Sequence, residues 1–298
     1  MMAAVNWGIV LTAVVLAVVC ALLGSFLLLR RMALLGDVIS HAVVPGIVLA
    51  YLWSGVRELP VMLLGAGGSA IAALLLVQLL QHRFGWSSDA ALAAVLSSFF
   101  AVGVLSLSSV AAQVDLDVEC VLYGELAYVP LDTVLLFGGG VAAPRALLTA
   151  LGLLVVVVIV LVLGYRRLVL SLFDPECAAV LGIVPRRWQG VLLGLTAVVT
   201  VVGFELVGAI LIVALLVVPA AAARLLRVSL PVMIGAAALF GAVSAVVGYG
   251  LSGAIGGAIS GWIALAAGAE LGLVLAWHQL RRAWVSEHAP TAPENPLG

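Results

Sequence analysis

Lysine is absent from this chain of 298 residues, and all thirteen basic side chains are arginines. A Walker-type phosphate loop needs Gly-Lys-Ser/Thr, so the chain cannot hold a nucleotide in that way. Any energy drawn from ATP must reach it through another protein. Cysteine is scarce as well. Cys20, Cys120 and Cys177 stand far apart and form no Cys-x-x-Cys, which argues against a disulfide framework or a structural zinc. They read as isolated small side chains, with Cys120 set apart by its charged surroundings. Neither His-Glu-x-x-His nor Gly-x-Ser-x-Gly occurs, so the signatures of an intramembrane hydrolase are missing and the chain reads as a non-enzyme. Charge is sparse, at 9% of residues.

Apolar residues make up the difference, at 65% of the chain with a mean hydropathy of +1.33. Residues 8–29 alone run 22 positions without a charge, where about 20 suffice to cross a bilayer. Further apolar segments fall at 37–52, 60–80, 89–110, 146–164, 190–204, 207–223, 231–250 and 255–280. That makes nine candidate spans, or eight if the two that run together around Glu205 are one. The expected fold is therefore an all-α, polytopic transmembrane bundle. The first run is long and its arginines follow it, so it reads as a span and not as a cleaved signal peptide. Placing Arg30 and Arg31 on the cytoplasmic side and alternating puts eleven arginines inside, with only Arg57 and Arg145 outside. The N-terminus is then outside and the C-terminus cytoplasmic.

The loops carry the rest of the charge. Asp115, Asp117, Glu119, Glu125 and Asp132 share one outer connection, over residues 111–145. It is either a solvated loop or an acidic vestibule that concentrates cations, and residues 120–129 within it suggest a short surface helix. On the inner side, the 165–189 connection contains Asp174-Pro175-Glu176, which reads as N-cap, N1 proline and first-turn acid. Gly182 would close that helix after about two turns. Arginine pairs at 166–167 and 186–187 flank it, so it either anchors the loop or docks a cytoplasmic partner. Gly253, Gly257 and Gly261 recur every four residues, a spacing that lets helices approach closely. Residues 283–298, with three prolines and many polar residues, suggest a disordered cytoplasmic tail.

The sharpest chemical signal is Asp37 with His41. Four residues apart on a helix, they share one face between two apolar runs, with Ser40 beside them. Ionisable groups at membrane depth are costly and usually mark a pathway. Carboxylate and imidazole are also ligands for first-row divalent metals. The competing reading has Asp37 capping the second helix and His41 as a satisfied core histidine. Pro45-Gly46, one turn on, is expected to break or kink that helix. Glu205 is a further candidate, sitting either at an outer turn between two spans or on the path itself. Asp89 suits a helix start; Glu270 has no partner visible in the sequence; His82 and His278 lie beside arginines and read as interfacial.

At these motifs the chain resembles a known family. Leu29-Arg30-Arg31-Met32-Ala33-Leu34-Leu35-Gly36-Asp37-Val38-Ile39-Ser40-His41-Ala42-Val43-Val44-Pro45-Gly46 is similar to the signature of the zinc/manganese/iron ABC-importer permeases, and residues 173–182 and 207–223 resemble two further blocks in matching order. The resemblance implies a type II ABC-importer-like permease domain over residues 1–282. It implies pairing with a second permease copy or a paralogue, cytoplasmic ABC ATPases, and an extracytoplasmic metal-binding protein. A coupling helix at about 174–182 would use Asp174, Pro175, Glu176 and Gly182. Asp37 and His41 would belong to the metal site or gate for a transported manganese, zinc or iron ion, with no permanently bound cofactor. Glu205 gains no support from the resemblance. Alternatives are a permease for a metal chelate, an ion-coupled secondary transporter, and a non-transporting membrane scaffold.

Overall fold

The computed structural model describes residues 6–30, 32–55, 59–110, 126–129, 132–136 and 141–287. Arg31, Arg57, Asp115, Asp117, Glu119, Cys120, Glu125 and residues 288–298 lie outside them. Among the described residues ten helices follow in order: α1 (Trp7–Leu29), α2 (Leu35–Ser54), α3 (Leu59–Phe84), α4 (Ser88–Val110), α5 (Arg145–Phe173), α6 (Pro175–Val180), α7 (Pro185–Val207), α8 (Ala209–Leu225), α9 (Leu230–Ile255) and α10 (Ile259–Glu287). Among them α1–α5, α7, α9 and α10, eight in all, are long and apolar enough to cross a membrane, while Ile210–Leu225 within α8 is apolar but shorter. This is a multi-pass membrane protein.

Sequence rules explain most of the ends. Asn6 caps α1, its side chain accepting from Gly8 N at 3.1 Å. At α4 the cap is Ser87, whose Oγ accepts from Ala90 N, and Asp89 is merely a first-turn acid. The apolar 146–164 segment understates its helix: α5 continues for two more turns to Phe173, so the connection expected at 165–189 is far shorter. α10 likewise runs to Glu287, past the expected boundary at 282. The 111–145 connection holds an antiparallel hairpin that no periodicity announced, β1 (Thr133–Leu136) paired with β2 (Val141–Pro144). Of the helix expected at 120–129, the described part is one 3-10 turn, Leu126–Tyr128.

Whether α7 and α8 form one broken span or two is decided at Gly208. Its φ of +82 lies in the left-handed region, and α7 ends on its 3.0 Å bond to Phe204 O. Beyond it the chain reverses: Ile212 packs its Cδ1 against Gly203, which a continuous helix would separate by over 13 Å at 1.5 Å per residue. Glu205 thus sits in the last turn of α7 beside a hairpin bend.

α1 is the central post, packed by α5, α8 and α9, while α2 lies among α3, α4 and α7. Glycines set the closest crossings. A Cβ on Gly24 would lie 1.8 Å from the Leu216 carbonyl oxygen of α8, and one on Gly46 would lie 2.3 Å from Gly65 O of α3. Gly248 gives α9 the same intimacy with Ile263 of α10. The 253/257/261 repeat does not serve that purpose. Gly257 lies in the α9–α10 turn at φ +97, and Gly253 and Gly261 face open space. Gly24→Ala should cost about 1–3 kcal/mol, because backbone and not a side-chain tip blocks the new methyl. A thermal melt of the purified protein in detergent checks this, with Gly253→Ala, which meets no obstacle, expected to stay near wild type.

Candidate functional site

α2 begins at Leu35, five residues separating it from the end of α1 at Leu29, and Leu34 offers no side-chain cap. Asp37 is therefore in the first turn but does not cap it. There its carboxylate sits at the positive end of the helix and faces His41, with Oδ1 3.4 Å from Nε2. Their side chains are 32% and 35% exposed, so both reach out of the protein while Val38, Ile39 and Ser40 turn inward. The core-histidine reading fails for the same reason. His41 also packs edge-on against Phe100 of α4, with ring centroids 5.0 Å apart. That contact limits the swing of the imidazole beside the carboxylate.

Ser40 does not join them. It is buried and donates to Gly36 O at 2.8 Å. Pro45 does not break α2 either, since the helix continues to Ser54. It does remove the N–H that would bond the His41 carbonyl four residues back. Glu205 is exposed at the far end of α7. Among the described residues no third His, Cys, Asp or Glu completes a metal set with Asp37 and His41. The chain offers a cation one oxygen donor and one nitrogen donor here. Beyond the pair, an open groove of about 1140 Å³ between α2 and α3, lined by Gly46, Leu49, Trp53, Leu64 and Phe99 among others, is apolar and includes neither Asp37 nor His41.

The second expected element is also present. Asp174 caps α6, its Oδ1 accepting from Cys177 N at 2.9 Å, with Pro175 at N1 and Glu176 in the first turn. Gly182, at φ +75, ends it in a Schellman pair: Gly182 N bonds Ala179 O and Ile183 N bonds Ala178 O. α6 rests on α5 and α7. Those two are clamped by Trp188, which fills the gap at Gly164 and lies 5.6 Å beneath the Arg167 guanidinium. Only Ala178 of α6 is buried, while Val180 is 87% and Leu181 65% exposed.

Two functional-looking contacts had no local signal. Glu270 meets Ser244 Oγ at 2.8 Å, joining α10 to α9. Arg30 donates from Nη2 to Ser171 Oγ at 3.1 Å and to Ser171 O at 3.5 Å, joining α1 to the end of α5. Each partner lies on another helix, 26 and 141 residues away.

Comparison with known proteins places this geometry. The ABC 3 transport family matches residues 2–277. This chain belongs to the ABC 3 transport family. It is 42% identical over 260 residues to the manganese transport system membrane protein MntD of Bacillus subtilis, covering 87% of this chain and 88% of that protein. It is 38% identical over 266 residues to the zinc transport system membrane protein TroD of Treponema pallidum, covering 89% and 72%. Among solved structures, a chain of PsaBC from Streptococcus pneumoniae in complex with Fab superposes with a TM-score of 0.72 at 27% identity, covering 90% of each. As an ABC 3 family member the chain is a membrane permease component and not itself the enzyme.

Proposed function

We propose that this ABC 3 family permease imports a bare divalent transition-metal ion, manganese, zinc or iron, through a path on which Asp37 and His41 are the ligands. The observation that carries the reading is the 3.4 Å pair, reachable from outside the fold and one helical turn deep in α2. A first-row divalent ion takes four or more donors, and one chain brings two. A second permease copy, or a paralogue carrying its own pair, supplies the remainder. Mixed oxygen and nitrogen ligation suits Mn²⁺ and Fe²⁺ and is accepted by Zn²⁺. Relatives named for manganese and for zinc transport agree with that breadth. Arginine distribution favours an outside N-terminus and a cytoplasmic α6. α6, with Asp174, Pro175, Glu176 and Gly182, then receives the cytoplasmic ATPase. Asp37, near the start of α2, falls in the inner half of the path. An extracytoplasmic binding protein delivers the ion to the outer mouth.

The test uses the complete transporter in vesicles loaded with ATP. ⁵⁴Mn²⁺ uptake should depend on ATP and fall under excess Zn²⁺. Uptake by this chain alone without ATP would replace the reading with a secondary transporter, and uptake only of a chelated metal would replace it with a chelate permease.

A further inference from the structure

We propose that Arg30 is the positioning residue that links movement at α6 to the Asp37–His41 ligands; this rests on the reading of α6 as the ATPase dock. Ser171 is three residues from Asp174, the cap of α6, and Arg30 is seven residues from Asp37. The guanidinium therefore joins the two short segments that a transport cycle must connect. Among the described residues α5 packs chiefly along α1 and α7, and not extensively along α2. The Arg30–Ser171 contact is a polar bridge from the α5–α6 corner to the α1–α2 turn.

The bridge is well formed at both ends. Ser171 is buried, and its hydroxyl donates its single proton to Leu168 O at 2.9 Å, leaving the lone pairs to accept from Arg30. Arg30 closes α1 with its own N–H on Phe26 O. From Met32 to Asp37 the chain has little slack. Met32 is buried and donates to Leu27 O at 2.9 Å, Leu35 N bonds Met32 O, and Leu35 is fully buried. Leu216 of α8 wedges beside Gly36 as well as Gly24, and Arg224 Nη1 reaches Leu28 O at 3.5 Å. A turn held on three sides moves as a body. Displacing the end of α5 therefore displaces the first turn of α2, where Asp37 sits. Another route from α6 to α2 passes through α7, whose Phe204 shares a buried cluster with Val43 beyond the ligands.

The experiment is Arg30→Gln in the complete transporter in vesicles, with ⁵⁴Mn²⁺ taken up per ATP hydrolysed as the readout. Assembly with the ATPase and ATP hydrolysis should persist while ions moved per ATP fall about tenfold, within the range of ordinary coupling between sites. Arg30→Lys, which keeps a donor for Ser171, should recover a substantial part of the ratio. Adding Ser171→Ala to Arg30→Gln should lower it no further. Wild-type stoichiometry in Arg30→Gln overturns the proposal. So does reduced assembly of that variant, which would assign the side chain to folding. Glu176→Arg, run alongside, separates the two readings. If it leaves hydrolysis intact, the α6 dock is what fails; if it abolishes hydrolysis while Arg30→Gln transports normally, only the Arg30 link fails.

Discussion

Asp37→Ala and His41→Ala are each expected to lower Mn²⁺ accumulation by about 100-fold or more at unchanged expression. Losing a residue that merely orients a ligand costs roughly 10–100-fold in metal affinity, so losing one of two ligands belongs at or beyond the upper end. Folding should survive. Each side chain is about one-third exposed, and α2 is held by the buried Val38, Ile39, Ala42 and Val43. Removing the Asp37 carboxylate also leaves the N-terminus of α2 intact, because it caps nothing there. Asp37→Asn is the sharper variant, since it keeps the volume and removes the charge that a cation needs. Asp89→Ala, at an exposed first-turn acid of α4, is the matched control and should transport normally. Wild-type accumulation in both Asp37→Ala and His41→Ala would remove the pair from the path.

The legibility of these features tracks how local their causes are. Run length found the spans, because crossing a bilayer needs about 20 apolar residues whatever the neighbours do. Asp174, Pro175 and Gly182 announced α6 because capping is settled within a few residues. The i,i+4 relation found Asp37 and His41, since a helix alone brings them together. Failures came where the neighbours decide. Gly253, Gly257 and Gly261 have the spacing of a packing stripe, yet Gly257 is needed for a left-handed turn and Gly248 makes the close contact. Polarity ended the expected span at Gly164, but a helix that emerges from the membrane has no reason to stop, and α5 continues to Phe173. Arg30 was read as one inner charge among eleven; its contact with Ser171 spans 141 residues, which no periodicity encodes.

Glu176→Arg should abolish metal-stimulated ATP hydrolysis by the assembled transporter while leaving the permease folded. α6 is fastened at both ends, by the Asp174 cap and by the Gly182 Schellman pair, and Ala178 anchors its middle. Reversing a first-turn charge works against the helix dipole by only about 0.3–1 kcal/mol, too little to undo that fastening. The consequence for a partner is larger. Arg166, Arg167, Arg186 and Arg187 already make this corner cationic, and Glu176 is the acid that α6 presents from its exposed face. A partner matched to that acid would meet a like charge, and such a juxtaposition costs several kcal/mol, equivalent to a loss of about 100-fold or more. Glu176→Gln, which removes the attraction without adding repulsion, should fall between wild type and Glu176→Arg. Hydrolysis measured in vesicles against added Mn²⁺ decides it: undiminished stimulation in Glu176→Arg means that the ATPase grips another part of the inner face.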